Sequence, residues 1–313
     1  MVNNDVLYHY CSVETFLNII RNKTIRLSDV GKSNDYMETK WLLEYFEKEV
    51  IRQYQENPSI LSNQVIYGLD DIDTIKFLVQ NEKQKMMRRT DHLFYTACFS
   101  ENGDKLSQWR GYADDGYGVS LGFNFNVLKS ISEKDELLKL NKVIYPNEET
   151  PNEIKVYAEK YLNSIYGLIF DGKTKDIYFN DYSSGDAFFE LSSRVLLQNS
   201  IIFKNPEFAE EQEWRLILND ELSKYDDWED LYHFEDTNSS SDNYAAERFP
   251  QGMQFKSSRN KIISFLDLSF KGYEDEIIEK IIIGPKCDVG EDDIYQLLRY
   301  YGYNDFEGTN AEK

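Results

Sequence analysis

Cysteine is scarce in this sequence, with only three in 313 residues, Cys11, Cys98 and Cys287. Their number is odd, they lie far apart, and no two of them form a Cys-x-x-Cys pair. Disulfide-stapled domains need several paired cysteines, and zinc knuckles need closely spaced ones. The spacing therefore excludes both classes of protein and favours a reducing, cytoplasmic location.

Long apolar segments are also missing. No apolar run approaches the roughly 18 residues that a membrane helix needs. The first twenty residues contain Asp5 and Glu14 and lack the basic start and apolar block of a secretory signal. We therefore expect no membrane segment and a protein that stays in the cytoplasm.

Basic residues are few, because 35 Lys and Arg stand against 56 Asp and Glu, for a net charge of −21. Non-specific affinity for nucleic acid comes mainly from Lys and Arg that neutralise phosphates. We therefore expect no non-specific nucleic-acid binding, unless a local basic patch overcomes the overall charge. Aromatic residues are abundant, with 23 Tyr and 19 Phe, which predicts a core and a ligand pocket built largely from rings.

The hydrophobic patterns predict an α+β fold. Residues 6–11 favour a short strand, and Ser12 is placed to cap the following helix. Period-two alternation predicts further strands at 93–100, 119–125, 214–218, 262–266 and 280–283. A polar loop separates the first two of these strands. Helical spacing predicts helices at 72–89 and 186–202 and a last one ended by Gly302. We predict a central, mostly antiparallel sheet of short strands surrounded by helices.

No internal repeat and no linker divides the chain, so we predict a single α+β domain over residues 1–313. Residues 225–242 contain seven acidic residues, no basic one and a run of three serines. Such a composition cannot bury enough apolar surface to order itself alone. We therefore predict a mobile acidic insertion at about 225–258.

Familiar catalytic motifs are absent: the sequence has no phosphate-cradling glycine loop, no Gly-x-Ser-x-Gly and no His-Glu-x-x-His. Residues 211–215 hold the strongest remaining signal, since strand alternation directs Glu211, Glu213 and Arg215 to one face. Neighbouring carboxylates raise one carboxyl pKa while a guanidinium lowers it. This conflict is typical of a site that handles protons or a developing cation, and the alternative is an ordinary surface ion pair.

Three other places offer candidate ligand contacts. His9, in an aromatic strand beside Tyr10, either holds a ribose or phosphate or is a buried structural histidine. Asn34 and Asp35 either belong to a ligand site or form an Asx turn that opens a helix. Trp109 and Tyr112 place two large rings in the polar loop, where each needs the core or a flat ligand to stack on.

The order of these pieces resembles the bacterial family catalogued as domain of unknown function 2971. The matching pieces run in order along the chain: Tyr8-His9-Tyr10, Asn34-Asp35 with Glu38, Cys98-Phe99-Ser100-Glu101, Trp109 with Tyr112 and Gly118, Glu211 to Arg215, and Gly284-Pro285. Tyr36 stands where we expect the family to have proline. The family name supplies no reaction.

The same order more loosely resembles ADP-ribosyltransferases, which carry an early His or Arg on the NAD ribose, a central Ser or Tyr against the nicotinamide and a late catalytic Glu. The resemblance implies that Glu213 stabilises the ribosyl cation, that Glu211 orients the acceptor and that His9 lines a common cleft with Glu213. It also implies that Ser100 supports Glu213. The implied cofactor-binding residues are His9, Tyr10, Asn34, Asp35, Ser100, Trp109, Tyr112 and Arg215.

We therefore predict an NAD-dependent ADP-ribosyltransferase or NAD glycohydrolase with a macromolecular target, acting as a bacterial toxin or phage-defence effector that a regulatory protein partner would control. Two alternatives stay open. In the first, Asp35, Glu38, Glu211 and Glu213 hold magnesium or manganese and hydrolyse a phosphodiester. In the second, the pocket binds a nucleotide or a partner without catalysis, within a defence system.

Overall fold

The computed structural model describes residues 5–32, 36–58, 94–134, 137–146, 201–219, 247–258, 260–304 and 311–312, together with helical residues within 72–84 and 152–162. The chain divides into two units. The first comprises residues 1–32, 93–143 and 209–313, and the second comprises 33–92 and 144–208. The prediction that the whole chain is one domain stays a prediction.

The first unit begins with the strand and the capped helix that the sequence predicts, and a second strand follows them. These are β1 (Val6–Cys11), α1 (Val13–Asn22) and β2 (Thr24–Asp29). The Oγ of Ser12 accepts the Thr15 N–H at 3.1 Å, which satisfies one of the backbone donors that a helix start leaves open. The predicted N-cap is therefore confirmed.

The remaining elements of this unit follow in chain order. They are β3 (Phe94–Ser100), α3 (Leu106–Tyr112), β4 (Val119–Asn124), α4 (Phe125–Glu133), β5 (Leu138–Lys142), β6 (Glu213–Asn219), β7 (Met253–Ser258), β8 (Lys261–Ser269), α5 (Glu274–Ile277), β9 (Ile278–Ile283), α6 (Glu291–Tyr300) and β10 (Ala311–Glu312). The predicted strands at 93–100, 119–125, 214–218, 262–266 and 280–283 correspond to β3, β4, β6, β8 and β9. Gly302, at a φ of 90°, follows α6 as predicted.

These strands form one sheet in the order β10-β9-β4-β1-β3-β2-β8-β7, with β6 paired to β3 and β5 paired to β6. Neighbouring strands are antiparallel, apart from the parallel pair of β9 and β10. The predicted α+β class, with a mostly antiparallel sheet flanked by helices, is confirmed.

The sheet forks at β3. One edge of β3 pairs with β6 along its whole length. The other edge is shared, because β1 meets it at Ser100 while β2 meets it at Thr96 and Tyr95. Between these two pairings, the Cys98 carbonyl accepts a hydrogen bond from Nδ1 of His9 at 2.9 Å. A side chain therefore bridges β1 and β3 where strand pairing stops.

The two faces of the sheet differ in polarity. One face carries the hydrophobic core, against which α1, α4 and α6 pack with side chains such as Phe16, Leu128 and Leu298. We call the opposite face the polar face. Strand register and alternation place on it Tyr8, Arg26, Ser28, Thr96, Cys98, Ser100, Glu213, Arg215 and Asp267.

Two sequence predictions need correction in this unit. The loop predicted to hold Trp109 is instead the seven-residue helix α3. Such a short helix, which contains Gly111, has little helical periodicity of its own and depends on tertiary packing. Residues 225–246 of the predicted mobile insertion lie outside the described residues. Its last residues are not a mobile segment, because Met253–Ser258 form the strand β7.

The second unit is helical over most of its described residues. Its long helix α2 (Tyr36–Glu56) buries side chains at helical spacing, namely Leu42, Leu43, Phe46, Val50 and Tyr54. The ring of Phe46 packs edge-on against Tyr161, with centroids 5.3 Å apart. The described residues within 72–84 are helical, as predicted. Residues 186–200 of the helix predicted at 186–202 lie outside the described residues.

Within the described part of the chain, no helix combines the length and the apolar character that crossing a membrane requires.

Candidate functional site

A buried ion pair lies on the polar face at the start of β6. Nε of Arg215 donates to Oε1 of Glu213 at 2.7 Å, and Nη2 donates to Oε2 at 3.1 Å. Glu213 is 4% exposed and Arg215 is 3% exposed. The shared strand face of Glu213 and Arg215 is therefore confirmed, and the pair is buried rather than the ordinary surface ion pair of the alternative interpretation. Two charge-assisted hydrogen bonds fix the orientation of the carboxylate.

Glu211 does not continue that strand face. It ends a 3-10 helix, Pro206–Glu211, and Gln212 then adopts a left-handed φ of 47° before β6 begins. This turn interrupts the alternation on which the prediction depended. The prediction that Glu211 shares a strand face with Glu213 is therefore wrong.

Ser100 supports the backbone that leads into Glu213. Its hydroxyl donates to the Glu211 carbonyl at 2.7 Å and accepts the Asn102 N–H at 3.1 Å. The N–H of Glu101 also donates to the Gln212 carbonyl, at 3.1 Å. Ser100 thus stabilises the left-handed turn that precedes Glu213, and the implied support of Glu213 by Ser100 stays a prediction.

His9 lies at the fork of the sheet. Because a carbonyl can only accept, its contact with Cys98 requires a proton on Nδ1 of His9. Burial lowers the pKa of His9, and the hydrogen bond to Cys98 opposes this shift. The ring nevertheless keeps some accessible surface and lies 5.8 Å from the Phe99 ring. This combination describes a neutral, partly exposed imidazole at the fork of the sheet.

Tyr8, rather than His9, shares a face with Glu213. Tyr8 pairs with Ser100, and Ser100 pairs with Glu213, so the three side chains form a row across β1, β3 and β6. Alternation along β1 directs His9 to the opposite face. The prediction that the His9 imidazole faces the Glu213 carboxylate across a cleft is therefore wrong, because the strand register places the two side chains on opposite faces.

Tyr10 and Trp109 support the loop between β3 and α3. The hydroxyl of Tyr10 donates to the Asn102 carbonyl at 2.8 Å and accepts the Lys105 N–H at 2.9 Å. Burial raises the pKa of Tyr10 to about 12, so the phenol keeps its proton. Trp109 packs edge-on against the Tyr10 ring and donates from Nε1 to Asp104 at 2.8 Å. Both rings are buried, and neither offers a face for stacking on a ligand.

The other predicted cofactor-binding residues fall into two groups. Tyr112, at the end of α3, is 50% exposed and keeps a ring surface that a flat ligand could cover. Asn34 and Asp35 lie outside the described residues, and Glu38 lies in α2 with a side chain that the structure does not describe. Among the described residues, no cluster of three His, Cys, Asp or Glu side chains is placed to hold a metal ion.

Two site residues were given no role by the sequence reasoning. Cys98 is exposed in the middle of β3, on the polar face and opposite Arg215 in the register. Glu101 accepts hydrogen bonds from Nε1 of Trp214 at 2.8 Å and from Nζ of Lys142 at 2.6 Å. Both belong to the Cys98–Glu101 run of the family pattern, which was their only signal.

Residues 108–216 of the chain match the model of a protein family of unknown function, DUF2971. The match begins one residue before Trp109 and ends one residue after Arg215, so it includes the buried ion pair. It confirms the predicted resemblance to this family over that segment. No curated protein and no solved structure matches the chain significantly.

Proposed function

For a chain whose residues 108–216 match the family model of DUF2971, we propose an NAD-dependent enzyme that transfers ADP-ribose to a macromolecule or hydrolyses NAD. Glu213 is its catalytic carboxylate. The observation that carries the proposal is the row of Tyr8, Ser100 and Glu213 on the polar face. Tyr8 keeps accessible surface at one end of the row, and the fixed carboxylate lies at the other.

The reaction needs a fixed negative charge. When the bond between nicotinamide and ribose breaks, nicotinamide leaves with the bonding electrons and positive charge develops on the sugar. A carboxylate near that sugar carbon stabilises mainly the transition state, and an already oriented carboxylate needs no reorganisation. Arg215 provides this orientation for Glu213. An acceptor group or water then bonds to the sugar carbon and gives up its proton.

The row has a length that suits one nucleoside. Neighbouring strands lie about 4.8 Å apart, so Tyr8 and Glu213 stand about 10 Å apart across the sheet. The nicotinamide would lie against Tyr8, with its ribose directed toward Glu213. A tyrosine ring attracts a cationic ring with about 1 to 2 kcal/mol.

His9 is a positioning residue in this proposal. Its hydrogen bond to the Cys98 carbonyl ties β1 to β3 at the fork, next to the point where Tyr8 pairs with Ser100. The imidazole therefore keeps Tyr8 in its row without contact to the reacting atoms.

NAD labelled in its adenosine part, incubated with the full chain in the presence and absence of bacterial lysate, tests the proposal. We expect release of nicotinamide, with the label in a macromolecule or in free ADP-ribose. Glu213→Gln should lower the rate by roughly 100-fold or more, because the charge beneath the sugar is lost. Glu133→Gln, on the exposed side of α4, should retain the rate. Circular dichroism would verify that both variants fold.

Tyr8→Leu separates binding from chemistry. We expect a higher KM for NAD with a smaller effect on kcat, whereas Tyr8→Phe should retain both constants. NAD that stays intact with the wild-type chain and lysate, as it does with Glu213→Gln, would count against the proposed enzyme.

The burial of Glu213 favours a second candidate, a nucleotide-binding module without catalysis. A carboxylate that is 4% exposed and paired with arginine also fits a structural ion pair. Thermal unfolding with NAD, ADP-ribose or magnesium distinguishes the candidates, because a bound ligand raises Tm by mass action. Stabilisation by NAD without release of nicotinamide would select the binding module. Oligonucleotide cleavage that a chelator abolishes would instead select a metal-dependent phosphodiesterase.

A further inference from the structure

A basic hairpin forms one end of the sheet. β7 and β8 pair antiparallel over the whole of β7, and β7 is the last strand on this side among the described residues. The whole chain carries a net charge of −21. This end of the sheet nevertheless carries Lys256 on β7 and Lys261 on β8, and it places Lys256 near Arg26 of β2, because both cations lie over the Phe265 ring.

The hairpin presents different chemistry on its two faces. Phe255 of β7 and Ile262 of β8 project on the face that carries the core, and they are 65% and 72% exposed. Lys256 and Lys261 alternate with them and project on the polar face. One face of the open edge is therefore apolar, and the other is basic.

The basic side carries an excess of positive charge in a partly dehydrated setting. Arg26 and Lys256 both lie over the Phe265 ring, at 3.6 Å and 6.0 Å from its centroid. Asp267 accepts two hydrogen bonds from Arg26, at 2.9 and 3.0 Å. Burial and the charge of Arg26 lower the pKa of Lys256, while Asp267 opposes that shift. An additional carboxylate at this place would relieve the repulsion between the two cations.

We propose that the β7 edge binds an extended acidic segment of a partner protein, which adds to the sheet as a further strand. Side chains of an added strand alternate between the two faces of the sheet. Those on one side would contact Phe255 and Ile262, and those on the other would lie near Lys256. The edge therefore selects a segment in which apolar and acidic residues alternate, and this selection is independent of the NAD chemistry.

A second copy of the chain fits this edge less well. Pairing two β7 strands would bring lysines from both copies together, and lysine on an edge strand is a common means of preventing such association. Single-stranded nucleic acid would satisfy the lysines, but its backbone has no apolar groups that alternate with its charges.

A fluorescein-labelled peptide of alternating Val and Glu is the probe, titrated with the full chain and followed by anisotropy. We expect saturable binding that weakens by at least about tenfold in Lys256→Glu, because a like charge then faces the peptide. Phe255→Ser should also weaken it, through the apolar side. Lys129→Glu, on the exposed surface of α4, is the matched control and should bind normally. Peptides with Lys in place of Glu, or Ser in place of Val, should not bind.

Hydrogen exchange of the wild-type chain separates strand addition from loose charge attraction. The β7 amides that point away from β8 should exchange more slowly with the peptide present, because they then donate to its carbonyls. Absence of binding, equal binding of the Lys peptide or unchanged β7 exchange would each overturn the proposal. Tighter binding of oligo-dT than of the Val-Glu peptide would assign the hairpin to nucleic acid instead.

Discussion

Glu213 and Arg215 bury opposite charges side by side on one strand. Each charge compensates part of the desolvation of the other, so the pair tolerates burial that neither member tolerates alone. Removing one partner should therefore lower the free energy of unfolding more than removing both.

Arg215→Met is expected to lower the free energy of unfolding by about 3 to 5 kcal/mol, because it leaves the Glu213 carboxylate buried without its guanidinium. The double variant Glu213→Gln with Arg215→Met should lose less, since no uncompensated charge remains. Urea unfolding followed by circular dichroism measures both. Equal losses in the two variants would show that charge compensation is not the cause.

Gln212 shows which single residues escape sequence reasoning. Its left-handed backbone costs about 1 to 2 kcal/mol for a residue other than glycine. Hydrogen bonds from Ser100 and Glu101 to the backbone of Glu211 and Gln212 stabilise the turn. These partners are about a hundred residues away in sequence, so the alternation from Glu211 to Arg215 could not reveal the turn.

At the scale of elements, β1 depends on His9 for its link to β3 beyond Ser100. Strand pairing ends there, and the imidazole donates to the Cys98 carbonyl instead. Burial holds the pKa of His9 below its ordinary value of 6.5. Protonation of His9 therefore favours the unfolded chain.

The stability of the chain should consequently depend on pH through His9. Between the lowered pKa of His9 in the folded chain and its ordinary pKa in the unfolded chain, the unfolded chain binds more protons. The contribution of neutral His9 to the free energy of unfolding is therefore complete above about pH 6.5 and is lost as the pH falls. His9→Asn retains an amide donor for Cys98 without the titration. The difference in unfolding free energy between about pH 7.5 and about pH 5.5 should shrink in this variant. His233→Asn is the control, and an undiminished difference in His9→Asn would contradict the assignment.

Elements with a strong local pattern were predicted closely. β1 and the Ser12 cap depend on residues within one turn of each other, and short-range preferences decide them. Helix α3 was missed, because it forms where Trp109 packs on Tyr10 from a distant strand. The edge strand β7 was missed as well, because the acidic composition of residues 225–242 predicts a mobile insertion that extends over β7.

At the scale of the whole molecule, the fold gives its three thiols different environments. Cys11 and Cys287 are 4% and 3% exposed, whereas Cys98 is exposed on the polar face. Burial raises the pKa of Cys11 to about 12, so its reactive thiolate form is suppressed.

Brief treatment of the native chain with iodoacetamide should therefore modify Cys98 alone. Mass spectrometry of the digested protein identifies the site, and Cys98→Ser should remove the rapid modification. Cys11 and Cys287 should react only after denaturation. Early modification of either in the native chain would show that the core opens more readily than its packing indicates.

The sequence alone determined the α+β class, the limits of β1, the cap of α1 and the likeness to DUF2971, because each depends on neighbouring residues or on the order of short motifs. Tertiary structure alone decided that Tyr8 rather than His9 joins the row of Glu213, and that Cys98 is exposed while Glu213 is buried. The reason is physical: the register between strands distant in sequence sets the face of each side chain, and a shift of one residue would reverse every assignment.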